Sequence, residues 1–287
     1  KLSQEGPALA VGDINGDGND DFFLGGGAGQ AGIIYLHRGK GKINPISATA
    51  FEADASLEDT AAAFFDADGD SDLDLMVATG GNQVGKEPTY RPRLYLNDGK
   101  GRFTRSQEDL PSANKNMSTV TPEDYDGDGD IDVFIGSRSV VGVYGVTPNQ
   151  LLLENQGNGT FKNVTERTAN DLKNAGMVTD AIWTDLDSNG HPDLITVADW
   201  GTPAIFMNNG RRLGRLRSSL DTLDGWWNAI SAADLDGDGD MDLVLGNQGT
   251  NLHYKPLPGR PVKMWVNDFD NNGTLEQIVT QTSNAED

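Results

Sequence analysis

An all-β repeat fold is predicted by three observations in this 287-residue sequence. A nine-residue acidic loop recurs six times in one register, and short apolar runs flank the loops. The loops begin 53, 58, 61, 49 and 34 residues apart, and the first four spacings suit a supersecondary unit of roughly 50 residues. Four antiparallel strands in a unit of that size make one blade of a β-propeller. The chain is therefore expected to be a single β-propeller domain of four-stranded antiparallel blades, six or seven in the closed ring, with an acidic loop between the first two strands of each. The blades are expected over residues 7–55, 59–110, 117–168, 178–220 and 228–260, with a partial one over 262–287.

The loops come first, because they carry the register. The first holds Asp13, Asn15, Asp17, Asn19 and Asp21 at its odd positions, and the second Asp66, Asp68, Asp70, Asp72 and Asp74. Asp124, Asp126, Asp128, Asp130 and Asp132 follow in the third, then Asp185, Asp187, Asn189, His191 and Asp193 in the fourth. The fifth holds Asp234, Asp236, Asp238, Asp240 and Asp242, and the sixth Asp268, Asp270, Asn272, Thr274 and Glu276. Alternating carboxylates and amides in a tight loop suit a hard cation that takes six to eight oxygens, which favours calcium over magnesium with its near-ideal octahedron. Glycine at position 6 in five loops (Gly18, Gly129, Gly190, Gly239 and Gly273), with Ser71 in the other, allows a sharp turn at positive φ. Position 7 varies freely, as expected where only the backbone carbonyl is used. An EF-hand would close with a bidentate Glu at position 12. That position holds Leu24, Val77, Ile135, Thr196, Leu245 and Val279 here, which excludes it. Five to six calcium ions are expected.

The strands follow from the flanks. Ala8–Val11 and Ala61–Phe65 precede their loops, and runs such as Leu73–Val77, Ile131–Ile135, Leu194–Val197 and Leu243–Leu245 follow them. Continuous rather than alternating apolarity marks strands covered on both faces. Third strands are expected at Ile33–Leu36, Leu94–Leu96, Leu151–Leu153 and Ile205–Met207, each ending in a Gly/Asn turn, and fourth strands at Phe103–Thr104 and Phe161–Val164. The fifth repeat lacks both, because 251–261 is Pro-rich, and the sixth stops soon after its second strand.

Taken together, the Asp-x-Asp-x-Asp-Gly-x-x-Asp loop, the Asp-Leu-apolar strand behind it and the Leu-Tyr-x-Asn-x-Gly hairpin resemble the FG-GAP/VCBS repeat family, a calcium-loop β-propeller similar to the integrin α-chain head. Leu24-Gly25-Gly26-Gly27-Ala28 is a degenerate form of the family's Phe-Gly-Gly-Ala-Pro signature. The segments 197–200, 225–228 and 266–270 look most like large bacterial surface proteins with VCBS repeats. The resemblance implies the fold, calcium and an address outside the cytoplasm: extracellular, cell-surface, outer-membrane-associated or periplasmic. It does not imply one activity.

Composition narrows the partners. With 22 Lys+Arg against 44 Asp+Glu, the net charge of −22 repels nucleic acid and anionic membranes. No run of 18 or more apolar residues offers a spanning helix. The absence of cysteine removes disulfides, thiolate metal sites and a Cys nucleophile. Lys1 in place of Met reads as a processed or excised chain. No Gly-x-Ser-x-Gly elbow, P-loop or His-Glu-x-x-His occurs, so no catalytic residue is assigned.

Trp200, at the end of a second strand, and Trp226 and Trp227, in the loop 221–228, are the candidate ligand-binding residues, because exposed aromatics stack on sugar faces or anchor proteins. Arg91, Arg93, Arg138 and Lys255, read as loop residues, are candidates for pairing with an acidic ligand. Three readings of function result. The first is a non-catalytic binding or adhesion module for a glycan or an extracellular protein. The second is a scaffold subunit of a larger surface assembly. The third is a polysaccharide-degrading enzyme domain.

Overall fold

The computed structural model describes residues 7–46, 49–81, 90–108, 110–111, 115–251, 253–257 and 259–281. Three four-stranded antiparallel sheets, each meandering in chain order, are followed by a six-stranded sheet whose first four strands repeat the same meander. The first contains β1 (Leu9–Gly12), β2 (Asp21–Leu24), β3 (Ile33–His37) and β4 (Ile43–Ile46). The second contains β5 (Glu58–Phe65), β6 (Asp74–Gly80), β7 (Arg93–Asn97) and β8 (Phe103–Arg105). The third is β9 (Lys115–Glu123), β10 (Asp132–Val140), β11 (Leu151–Asn155) and β12 (Phe161–Asn163). The fourth is β13 (Met177–Thr184), β14 (Asp193–Gly201), β15 (Ala204–Asn208) and β16 (Leu213–Leu216).

A fifth unit has only β17 (Gly225–Ala233) and β18 (Asp242–Asn247). Its β17 also pairs with the far end of β14, where Asp199 faces Trp226. Among the described residues between Asn247 and Lys263 there is only the isolated bridge of Leu257 to Arg260, as the Pro-rich sequence predicts. The sixth loop joins β19 (Lys263–Asn267) to β20 (Glu276–Thr280) in a separate two-stranded hairpin.

The first strands β1, β5, β9, β13 and β17 are neighbours in succession, so each sheet stands against the next. One apolar core fills each gap. Phe23, Ile34 and Phe51 meet Leu75 and Tyr95 between the first two sheets, and Met76 and Leu94 meet Val133 and Leu153 in the next gap. Phe134 and Leu152 meet Phe206 in the third, and Ile195 and Val197 meet Ile230 in the fourth. The second strands β6, β10 and β14 lie between two such cores. All seven residues of β6 are buried, which is why their sequences are apolar without alternation.

Packing is supplemented by a repeated polar staple. The third strands β7, β11 and β15 end in Asn97, Asn155 and Asn208. Each side-chain amide donates to the position-2 carbonyl of the preceding unit's loop: Ile14 at 2.8 Å, Ala67 at 3.0 Å and Tyr125 at 2.6 Å. The same nitrogen also donates to the position-8 carbonyl of its own unit: Leu73, Ile131 and Pro192. All three asparagines are buried, and so are the residues of the position-2 carbonyls they reach, so the side-chain type in this motif is set by a buried carbonyl that needs a donor. Asn155→Ala strands both carbonyls and is expected to lower unfolding free energy by about 2–3 kcal/mol in denaturant titration, at unchanged m-value.

Candidate functional site

All six acidic loops share one hydrogen-bond scheme, built outward from position 1. That carboxylate accepts the position-6 N–H in every loop, from Gly18 on Asp13 (2.7 Å) to Gly273 on Asp268 (2.9 Å). The position-5 side chain accepts the position-7 N–H in every loop. Position 6 has φ between 72° and 97°, as the glycine pattern predicts, and Ser71 adopts it too. Position 4 also has positive φ throughout, at Gly16, Gly69, Gly127, Ser188, Gly237 and Asn271. Sequence reasoning missed this second left-handed residue, although four glycines and an asparagine at that position were its signal.

Position 9 joins the loop to the sheet. One oxygen of Asp21, Asp74, Asp132 and Asp193 accepts the N–H at the end of the third strand, from His37, Asn97, Asn155 and Asn208, at 2.6–2.8 Å. The other oxygen of Asp74, Asp193, Asp242 and Glu276 accepts the position-2 N–H of its loop. These first four carboxylates are almost fully buried.

Three acids converge in five of the loops. Oxygens of Asp66, Asp68 and Asp70 lie within 4.8 Å of one another, as do those of Asp124, Asp126 and Asp132. The same holds for Asp185, Asp187 and Asp193, for Asp234, Asp236 and Asp242, and for Asp268, Asp270 and Glu276. The first loop differs: the Asn15 amide donates to Asp21 Oδ2 at 2.8 Å, bridging positions that are acids elsewhere. Position-7 side chains turn away from the acids in three loops. Asp72, Asp130 and His191 lie against the turn glycines Gly99, Gly157 and Gly210.

Electrostatics shows what these groups can hold. Asp68 Oδ1, Asp126 Oδ1 and Asp132 Oδ2 are buried without a donor, and each belongs to a three-acid group. Burial, reinforced by the neighbouring acids, pushes Asp74 up to about 7 and Asp132 up to about 8. Orphaned acceptors beside mutually repelling carboxylates match the donor set of a hard cation, so these clusters can bind metal ions. In the metal-free chain both folded carboxyls keep protons that the unfolded chain, with its ordinary value of 3.8, has lost. Stability is then present at low pH and falls as pH rises through the window from about 4 to 8. In EDTA the melting temperature is expected to be higher at pH 5.5 than at pH 8.5, with a shallower slope in Asp132→Asn.

A different site forms at the opposite end of the strands. Trp200 lies seven residues beyond Asp193 on β14, about 23 Å from the fourth loop at ~3.3 Å per residue. It is a bulge residue with φ 52°, an unusual conformation for a bulky side chain, and its ring meets that of Trp226 edge-on at 4.6 Å. Both line a cleft of about 510 Å³ with Met177, Met264, Trp265 and Asp199. Trp265, which sequence reasoning did not single out, is 53% exposed.

The structure corrects three placements. Trp226 and Trp227 lie in strand β17, not in a loop, because β17 starts early to pair with β14. Trp227 is half-buried against the cluster that holds Ile195 and Val197, and its indole N–H donates to the Leu223 carbonyl at 3.0 Å. Arg93 and Arg138 are strand residues paired internally: Arg93 with buried Asp59 at 2.5 Å, and Arg138 with Asp199 at 2.6 Å.

No helix among the described residues is long and apolar enough to cross a membrane. No curated protein matches the chain. Solved structures similar to it include a lectin of Agrocybe aegerita whose subject is specific recognition of non-reducing terminal N-acetylglucosamine. It is 17% identical over 84% of this chain and 60% of that one, with a TM-score of 0.53. The V. cholerae biofilm matrix protein Bap1 is 16% identical over 84% and 34% of the two chains (TM-score 0.38), and the Dos1 propeller 11% over 83% and 54% (TM-score 0.48). The chain thus spans 60% or less of the length of each of these structures. A family model for the FG-GAP-like repeat matches residues 13–77, 66–135 and 185–245, well over half of the sequence. With its loops, sheets and repeat matches in one register, the chain belongs to the FG-GAP-like repeat family.

Proposed function

We propose that this chain is a calcium-stabilised, extracellular, non-catalytic binding module, with glycans as its ligands and the tryptophan cleft as its ligand face. The observation that carries the reading is the separation of two unlike sites on one strand, β14. At one end is an acid cluster suited to a cation, and at the other an aromatic cleft suited to stacking on a sugar face. The Agrocybe aegerita lectin, similar in fold, supports the ligand class. The sheets act as blades of a closed propeller. Its closure covers the apolar outer faces left at either end, with Leu9 and Val11 of the first sheet and Val244 of the fifth unit now exposed.

The acid groups of the second to sixth loops would hold five ions, each supplying the positive charge that lets buried carboxylates stay ionised. The first loop supplies an amide bridge in that place. At a Kd of ~0.1–1 mM, the range of extracellular calcium modules, 1 mM calcium stabilises by roughly 0.4–1.4 kcal/mol per site. Such sites fill outside the cell and stay largely empty in a cytosol, which supports the extracellular location.

Two outcomes are expected. Chelation lowers the melting temperature by about ten degrees or more, and titration after chelation restores it with five calcium ions bound; an unchanged melt sinks the calcium assignment. On a glycan array in millimolar calcium the folded chain gives a saturable signal. Trp226→Ala weakens that signal at least tenfold while leaving the fold intact, whereas Trp227→Ala chiefly destabilises, by about 2 kcal/mol or more.

A further inference from the structure

Behind the aromatic wall of the cleft stands a carboxylate whose two oxygens are treated differently. Asp199 is 2% exposed and lines the cleft beside Trp200 and Trp226. Its Oδ2 accepts from Arg138 Nε at 2.6 Å and from the Tyr144 hydroxyl at 2.8 Å. Its Oδ1 accepts nothing. Three segments build this arrangement: β10 supplies Arg138, the connection after it supplies Tyr144, and β14 supplies Asp199 next to the left-handed Trp200. A buried acceptor satisfied on one oxygen and unpaired on the other lacks a donor that the protein does not itself provide, and the cleft lies beside it.

We infer that Asp199 is the specificity-determining residue of the cleft, its Oδ1 accepting hydroxyl donors of a neutral sugar residue stacked on the tryptophans. This rests on the glycan reading above and adds to it the polarity of the ligand. Arg138 is engaged with Asp199, and the cleft's lining lysine, Lys263, is accompanied there by Asp224, so the lining carries no excess of positive charge for an acidic ligand. The chain's net charge of −22 stays negative after five divalent ions bind, and so disfavours uronate or sulfated sugars. A site built around an acceptor rejects analogues that lack the donor far more strongly than a stacking surface alone does.

The test uses the whole chain in millimolar calcium and isothermal titration with cellopentaose, maltopentaose and chitopentaose. Each is paired with its O-methylated form, and pentagalacturonate serves as the acidic probe. At least one neutral oligosaccharide is expected to bind. Its O-methylated form, which keeps the apolar faces and loses the hydroxyl donors, binds at least tenfold more weakly, and so does pentagalacturonate. Asp199→Asn weakens the wild-type ligand at least tenfold, and Trp226→Ala abolishes it. Because Asp199→Asn leaves Arg138 without its partner charge, Tyr144→Phe serves as the second variant. It keeps the ion pair, melts as the wild type does, and weakens binding about threefold or more.

Binding that is lost in Trp226→Ala, yet unchanged by O-methylation and by both polar variants, preserves the glycan reading and overturns the role of Asp199. Equal affinity for pentagalacturonate also overturns it. A folded wild type that binds none of the panel takes the glycan reading down together with this assignment.

Discussion

The hydrogen bonds of the position-9 carboxylate hold the rest of the architecture in place. Asp21, Asp74, Asp132 and Asp193 each reach from the end of a loop to the backbone N–H that closes the third strand, while standing beside the other acids of their loop. A buried carboxylate in that place fixes where the hairpin of strands three and four sits relative to strands one and two. It also creates the problem that a cation solves, since burial and like charges both oppose ionisation. Loop geometry and sheet register thus depend on one side chain in each of the first four units.

What was legible in the sequence followed from whether a position is defined by its side chain or by its surroundings. The loops were readable because oxygen-bearing residues at odd positions have few other reasons to recur. The second strands β6, β10 and β14 were readable because two cores cover them. The fourth strands β4 and β16 were not, because they are outer strands carrying Asn44-Pro45 and Arg215 in place of an apolar run. Arg93 and Arg138 looked like surface charges, because nothing local in a sequence reveals an acid 34 or 61 residues away. Asp199 stood beside the tryptophans in the sequence, but its pairing with Arg138 was hidden for the same reason. The tryptophans were found as residues but misassigned as a loop, because the pairing of β14 with β17 crosses between units and overrides the turn signal of Asp224-Gly225.

The strain at Trp200 and the bulge that accompanies it belong to that same crossing. A left-handed tryptophan persists only where its surroundings hold it. Here those surroundings are the pairing to β17, the ring of Trp226 and the ion pair behind it. The cleft is therefore assembled from several units and is a property of their packing. No single blade carries it.

The asparagine staple has a sense of direction. Asn97, Asn155 and Asn208 each reach back to the loop of the unit before, so each of the first three loops receives this partner from sequence made 83–88 residues after it. On a ribosome, a newly emerged unit waits with one carbonyl unanswered until the next one arrives and locks it. Growth of the array then resembles a ratchet: each addition secures its predecessor, and the youngest unit is always the loosest.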